Sequence, residues 1–119
     1  MEKRVTRLAD CEKQVFSWGS ITWLHNGAMS GSEELTLGEV IIKSGQSNPM
    51  HTHANCEEIL YLIEGELDHS CGDEQSYHLR AGDSICIQRG IPHNAICTSK
   101  QDAKMVVAYS SAFREMKGE

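Results

Sequence analysis

The chain has 119 residues, of which 24% are charged and 39% hydrophobic, and its net charge is −6 at pH 7. A chain of this length buries one core, so we expect a single domain over residues 1–119, with its central part at about 35–110. The acidic balance argues against general nucleic-acid binding, which depends on Lys and Arg neutralising phosphates. The sequence has neither the ~18-residue apolar run of a membrane span nor the apolar core of a secretory signal. It therefore predicts a cytoplasmic protein without membrane or nucleic-acid partners.

The five cysteines are spread along the chain without a C-x-x-C pair. An odd number at this spacing does not form a disulfide framework, so free thiols in a reducing compartment are expected. Cys86 lies in an apolar run and is interpreted as a buried small hydrophobe. Cys56 lies two residues before Glu58. A thiolate at this position, close to a metal bound by that carboxylate, is a less favoured alternative.

Ten glycines and two prolines divide the chain into short runs in which apolar residues often alternate with polar ones. Such runs are typical of β-strands. Strands are predicted over residues 14–25 (with a break near Gly19), 35–43, 57–63, 67–70, 75–79, 84–88, 93–97 and 105–109. The sequence also predicts a weak helix over 5–13, a loop over 26–34, a turn over 71–74 and a polar tail over 110–119 with a helical turn around Phe113.

About eight to ten short strands with almost no helix pattern predict an all-β barrel or sandwich. Closure into a barrel would remove the exposed edges of so many short strands. The turn Glu64-Gly65-Glu66 is interpreted as the connection of a hairpin between strands 57–63 and 67–70.

The most informative stretch contains His51, His53 and the carboxylates Glu57 and Glu58. Two histidines separated by one residue project from the same face of an extended strand. Two imidazoles and a carboxylate form a suitable site for a divalent transition metal. The alternative interpretation is that both histidines decorate an exposed loop, since short motifs of this kind also occur by chance.

This stretch resembles the first motif of the cupin superfamily, which here runs from Gly45 through His51, His53 and Glu58 to Gly65. The second cupin motif is matched by Gly82, Gly90 and His93, while Gln88 and Cys97 replace the expected proline and asparagine. The chain is similar to small single-domain cupins of the RmlC-like type. The resemblance implies an antiparallel jelly-roll β-barrel, frequently dimeric, so we expect a homodimer.

The resemblance also implies a mononuclear metal site with four ligands: His51, His53, Glu58 and His93. The ion would be one divalent transition metal among Fe, Mn, Ni, Co and Zn, with two adjacent positions open for substrate. The motif spacing to Gly65 favours Glu58 over Glu57 as the carboxylate ligand. Adjacent strand residues point to opposite faces, so only one of the two carboxylates is expected to face the metal.

Other residues are weaker candidates for a role in the cavity. Tyr61 and Tyr77 are possible proton donors, and Arg89 is a possible clamp for a substrate carboxylate. Phe16, Trp18, Trp23 and Met50 are possible wall residues, whereas His25, His69, His78 and Arg80 fit neither motif or flank it at turns. For each of them core packing or solvation is the more common role.

The function expected from the resemblance is a small metal-binding enzyme acting on a compact, oxygen-rich metabolite. Its reaction would be of isomerase, lyase or dioxygenase type, because the fold hosts many chemistries. The alternative is a non-catalytic cupin module that binds a small ligand. In both cases the partner is a small molecule.

Overall fold

The computed structural model describes residues 3–72 and 75–118. Within these ranges the strands are β1 (Lys13–Phe16), β2 (Gly19–His25), β3 (Thr36–Ile42), β4 (Glu58–Glu64), β5 (Glu66–Cys71), β6 (Ser76–Arg80), β7 (Ser84–Ile87), β8 (His93–Cys97) and β9 (Ala103–Tyr109). A short helix, α1, spans Gly27–Ser30, and one turn of 3-10 helix spans Leu8–Asp10. No helix in these ranges is long and apolar enough to cross a membrane.

The strands form two antiparallel sheets. One has six strands in the order β1-β2-β3-β9-β4-β7, and the other has three in the order β6-β5-β8. The prediction of an antiparallel all-β fold is therefore confirmed. Strand pairing over 3–72 and 75–118 leaves the two sheets separate and does not close them into the predicted barrel.

The chain crosses from one sheet to the other at Gly65, between β4 and β5. These strands pair with different partners, so the predicted hairpin between them is wrong. Gly65 has a φ of +82°, and a Cβ there would lie 2.9 Å from the Ala103 Cα. The predicted turn is present, but it carries the chain from one sheet to the other. Glycine is suited to this position because it permits both the positive φ and the close approach of the Ala103 backbone.

Alternation along the central strands places one set of side chains between the sheets. In β4, Leu60 and Leu62 are buried while Ile59, Tyr61 and Ile63 are exposed. Residues of both sheets contribute to the core cluster, including Val40, Ile42, Leu60, Leu62, Leu67, Leu79, Cys97, Met105 and Val107. This inward face is what the period-two pattern predicts for sheets solvated on one side.

Three local predictions differ from the structure. Cys86 is exposed, because β7 is an edge strand and Cys86 lies on its outer side, between the inward-facing Ile85 and Ile87. The tail forms no helical turn around Phe113 within the described residues. The predicted loop over 26–34 contains α1, which Asn26 caps by accepting a hydrogen bond from the Met29 amide at 2.8 Å. Part of the predicted turn over 71–74, namely residues 73–74, lies outside the described residues.

Candidate metal centre

Four side chains converge between the two sheets, each offering one nitrogen or oxygen donor: His51, His53, Glu58 and His93. The four donor atoms all lie within 4.8 Å of one another. His53, Glu58 and His93 are 2–4% exposed, and His51 is partly exposed. The structure thus brings together the four residues that the two sequence motifs single out.

Backbone pairing sets this convergence. His51 and His93 form an isolated antiparallel bridge with reciprocal N–H to C=O hydrogen bonds of 3.0 and 2.9 Å. The rings of His51 and His53 lie 4.9 Å apart, centroid to centroid, as expected for alternate residues of an extended segment. Glu58, the first residue of β4, is buried, whereas Glu57 is exposed. Only Glu58 therefore faces the cluster.

Each of the three histidines has its Nδ1 next to a backbone carbonyl. The acceptors are the carbonyl oxygens of Pro49 for His51 (2.8 Å), Glu115 for His53 (2.9 Å) and Ile91 for His93 (2.9 Å). A hydrogen bond donated by Nδ1–H leaves the Nε2 lone pair available inside the cluster. This is the tautomer that a metal-binding histidine needs, with its other nitrogen fixed by a protein acceptor.

The polar atoms of the cluster fit a metal ion. Glu58 Oε1 lies 3.1 Å from His93 Nε2 and 3.2 Å from His53 Nε2. Despite this short distance, His53 Nε2 is buried and has no hydrogen-bond partner of acceptable geometry. Buried nitrogens are rarely left unpaired, and a bound cation would satisfy this lone pair together with those of the other donors.

The electrostatics of the cluster favour the charged form of Glu58 and the neutral form of His51, but the protonated form of His93. Burial on its own raises the pKa of Glu58, but its contacts with His53 and His93 outweigh burial and hold that pKa well below its ordinary value. Burial, assisted by repulsion from His93, lowers the pKa of His51 to about 4. Burial on its own lowers the pKa of His93, but the hydrogen bond with Glu58 and the charge of that carboxylate outweigh burial, so the pKa of His93 is raised.

The C-terminal segment, residues 110–118, packs against the cluster. Asn55 forms hydrogen bonds with residues of this segment. Its Oδ1 accepts from the Glu115 amide (2.9 Å), and its Nδ2 donates to the Phe113 carbonyl (2.8 Å). Thr52 and Lys117 exchange backbone hydrogen bonds of 2.8 and 2.9 Å. The segment therefore presents the Glu115 carbonyl to His53 and covers one side of the site.

A cavity of about 190 Å³ adjoins the cluster. Its walls are mainly apolar, and they include the parallel stacked rings of Phe16 and Trp18, whose centroids lie 5.0 Å apart. Its polar lining includes His51, Glu58, His69, His93, Asn48, Gln14, Tyr109 and Arg114. The cavity is smaller than the ~300–1,000 Å³ typical of drug-sized ligands, so it suits a compact metabolite with an apolar part.

Several residues at the site have no signal in the sequence motifs. The Tyr109 ring lies 5.0 Å from that of His53, and its hydroxyl contacts Glu58. Burial, with the nearby Glu58 charge, raises the pKa of Tyr109. The Arg114 guanidinium lies over the rings of Trp23 (4.5 Å) and Tyr109 (5.2 Å). Apart from the contact between Tyr109 and Arg114, these contacts join residues far apart in sequence, which local spacing does not reveal.

The weaker sequence candidates lie elsewhere. Tyr61 and Tyr77 are about half exposed and Arg89 is exposed, and none of the three lines the cavity. Met50 is 47% exposed and is likewise absent from the cavity wall. Cys56 is fully buried outside the donor group, and burial raises the pKa of its thiol, which disfavours the thiolate alternative.

Comparison with known proteins gives one family. The model of the cupin domain matches residues 38–109. Oxalate oxidase 2 of Hordeum vulgare is 31% identical over 84 residues, covering 65% of this chain and 38% of that protein. The polyketide synthase CurC of Streptomyces cyaneus is 26% identical over 106 residues, covering 89% of this chain and 68% of its own length. The chain thus spans less than half of the oxalate oxidase but most of the Streptomyces relative.

Solved structures share the architecture. The polyketide cyclase RemF of Streptomyces resistomycificus superposes with a TM-score of 0.80 at 22% identity, covering 99% of this chain and 85% of that one. Oxalate decarboxylase of Bacillus subtilis, from a study of its Mn(II) centres, gives a TM-score of 0.87 at 15% identity, covering 94% and 31%. At these identities the likeness establishes the fold.

Proposed function

The chain belongs to the cupin family, and from this premise we propose that it is a mononuclear metal-dependent enzyme acting on a compact, oxygen-rich metabolite. The observation that carries the proposal is the group of four donor atoms within 4.8 Å at the side of a largely apolar cavity. Three neutral imidazoles and one carboxylate would hold a divalent transition metal, which could also bind oxygens of a substrate. We place the reaction in the isomerase or lyase class, on a carbonyl compound with an apolar body.

The cavity wall supports this substrate class over oxalate. Phe16, Trp18 and Ile21 line the cavity together with other apolar side chains. Oxalate has no apolar surface to cover this wall, whereas a carbonyl compound with a hydrocarbon or aromatic part does. CurC, the relative matched over most of this chain, is named a polyketide synthase, and polyketides are built of alternating carbonyl and methylene carbons.

The residues of the chain have distinct roles in this proposal. His51, His53, Glu58 and His93 would hold the ion, and the Tyr109 hydroxyl would keep the Glu58 carboxylate oriented. Phe16 and Trp18 would hold the apolar body of the substrate, and the C-terminal segment would exclude water from one side. A divalent ion at this position polarises a bound carbonyl and so eases loss of a proton from the neighbouring carbon.

Metal content tests the proposed site. Purified tag-free protein, loaded in turn with Mn²⁺, Fe²⁺, Co²⁺, Ni²⁺ or Zn²⁺ and desalted, is expected to retain about one equivalent of at least one ion by elemental mass spectrometry. Glu58→Gln and His93→Ala are expected to weaken binding by an order of magnitude or more, while the adjacent exposed Glu57→Gln serves as the matched control and should retain it. Retention in Glu58→Gln with loss in Glu57→Gln would reverse the assignment.

A wild-type protein that binds none of these ions, and is not stabilised by any of them, would favour the ligand-binding alternative. The reaction class is tested separately with metal-loaded protein and benzoylacetone, a β-dicarbonyl with an aromatic body. We expect a change in the probe's ultraviolet spectrum that is absent with Glu58→Gln. Metal-dependent consumption of dioxygen with this probe would contradict the isomerase or lyase assignment and favour oxygenation.

A further inference from the structure

His69 is a further histidine in the same cavity, outside both sequence motifs. It lies in β5, is 2% exposed and lines the cavity. Its ring stacks nearly parallel to that of His93, with centroids 5.7 Å apart and an interplanar angle of 14°. Its donor atoms are not part of the group that lies within 4.8 Å.

The hydrogen bonding of His69 matches that of the three histidines in the cluster. Its Nδ1 lies 2.8 Å from the backbone carbonyl oxygen of Ser70, to which it donates as the neutral ring. The lone pair of Nε2 is then available. Over residues 3–72 and 75–118, no hydrogen bond to this nitrogen is seen, and it is not fully enclosed as the unpaired Nε2 of His53 is.

This arrangement differs from that of a histidine kept only for packing. A strand residue facing an apolar core is far more often Leu, Ile or Val, whereas an acceptor that is reached from a cavity can pair with a bound molecule. His69 instead presents to the cavity an acceptor without a protein partner, and its ring stacks on that of His93. An acceptor in this position suits a ligand group that carries a hydrogen-bond donor.

We propose that His69 is a specificity residue whose Nε2 accepts a hydrogen bond from a hydroxyl or enol O–H of the substrate, next to the oxygen that the metal holds. The substrate class is thereby narrowed to compounds in which a hydroxyl or enol accompanies a second chelating oxygen, as in α-hydroxy acids and enolised dicarbonyls. This inference rests on the proposed metal site. Sites built around a substrate hydroxyl reject analogues that lack it, because the protein acceptor is then left unpaired.

The test compares two probes that differ in one O–H. Mandelate has a hydroxyl, a carboxylate and a phenyl ring, and its O-methyl ether carries a methyl group in place of the hydroxyl proton. Dissociation constants are measured with Co²⁺-loaded full-length protein by calorimetry and by the visible absorption of the ion. The variants are His69→Phe, which keeps a ring without an acceptor, and His69→Gln, which keeps an acceptor oxygen. His78→Gln, on the exposed face of the neighbouring strand β6, is the matched control.

In the wild type and in His78→Gln we expect mandelate to bind more tightly than its ether. In His69→Phe this preference is expected to fall about fivefold to tenfold, the effect of losing one hydrogen bond, and to be partly restored in His69→Gln. Circular dichroism verifies folding, and His69→Leu replaces His69→Phe if the latter does not fold.

An unchanged preference in a folded His69→Phe protein that retains one equivalent of Co²⁺ overturns the inference. Loss of Co²⁺ from both His69 variants also overturns it, because His69 is then a metal ligand. Failure of Co²⁺-loaded wild type to bind mandelate rejects the hydroxyl-bearing substrate class but leaves the metal site standing. Failure of the wild type to bind any metal removes the proposed function itself, and the His69 inference falls with it.

Discussion

The histidine rings of the site are fixed by carbonyl groups at very different distances along the chain. His51 and His93 donate to carbonyls two residues before them, at Pro49 and Ile91, so their orientation is set locally. His53 donates to Glu115, which lies 62 residues away. The first two orientations depend on their own turns, whereas the third depends on docking of the C-terminal segment.

The pKa of the exposed His78 shifts in the opposite direction to that of the largely buried His51. His78 lies 2.7 Å from Asp68 Oδ1 and 2.7 Å from Glu66 Oε1, one carboxylate for each ring nitrogen. The hydrogen bond to Asp68, followed by that to Glu66, raises the pKa of His78 above its ordinary value. Both nitrogens donate only when the ring is protonated.

The raised pKa of His78 predicts a pH-dependent contribution to stability. Because the pKa is higher in the folded state, the contribution is fully present below the unfolded pKa of about 6.5 and is lost as pH rises through the folded value. Wild type is therefore expected to have a higher Tm than His78→Gln at ~pH 5.5, which lies below the unfolded pKa. The difference should shrink at ~pH 9. A Tm difference that does not vary with pH would contradict this account.

At the scale of strands, alternation of apolar residues was sufficient to place β3, β4 and β9, since each has one buried and one more exposed face. The resemblance to the cupin motif singled out His51, His53 and Glu58, whose donor atoms the structure brings together. Pairing partners were not predictable, because Gly65 reads equally well as a hairpin turn and as a crossing between sheets. Tyr109 and Asn55 were missed, and His69 was interpreted as a packing or solvated residue, for a related reason: their contacts with the site are set by the packing of distant segments.

The C-terminal segment gives a testable case of such a distant contact. Asn55→Ala removes three side-chain hydrogen bonds to the segment, those with the Ser111 hydroxyl, the Phe113 carbonyl and the Glu115 amide, and is expected to lower the free energy of unfolding by about 1–3 kcal/mol. Because the Glu115 carbonyl then no longer holds His53, metal affinity is expected to fall by roughly tenfold or more. Urea denaturation and metal titration measure the two effects.

Asn55→Asp is the matched control, since it keeps the acceptor for the Glu115 amide while losing the donor to Phe113. We expect it to lie between wild type and Asn55→Ala in both measurements. Reduced stability with unchanged metal affinity in Asn55→Ala would show that the segment does not orient His53.

At the scale of the whole molecule, the space between the two sheets contains an apolar core beside the cavity. Leu62 of β4 and Leu67 of β5 are fully buried in this core, and neither lines the cavity. Part of the core, including Leu60 and Val107, also lines the cavity, so Leu62 and Leu67 are positions at which the core can be altered without altering the cavity wall. Substitutions at these two positions should consequently change stability more than metal binding.

Leu62→Ala is expected to lower the free energy of unfolding by about 2–5 kcal/mol, because it leaves a void among packed side chains. Ile59→Ala, on the same strand but 50% exposed, is expected to cost about 1 kcal/mol or less. Chemical denaturation measures both values, and the metal stoichiometry of each folded variant should remain that of the wild type. Equal costs for the two substitutions would argue against the packing described for β4.

The position of the four donors affects how the protein unfolds. Glu58 belongs to the six-stranded sheet and His93 to the three-stranded one. A bound ion would therefore link the two sheets to each other. The layers could not then separate without giving up the ion, and its release would become part of the barrier to unfolding. Edge strands such as β1 and β6, which carry none of the four donors, remain free to detach first. In the loaded protein, amide exchange would accordingly be slow in β4 and β8 and fast at these edges.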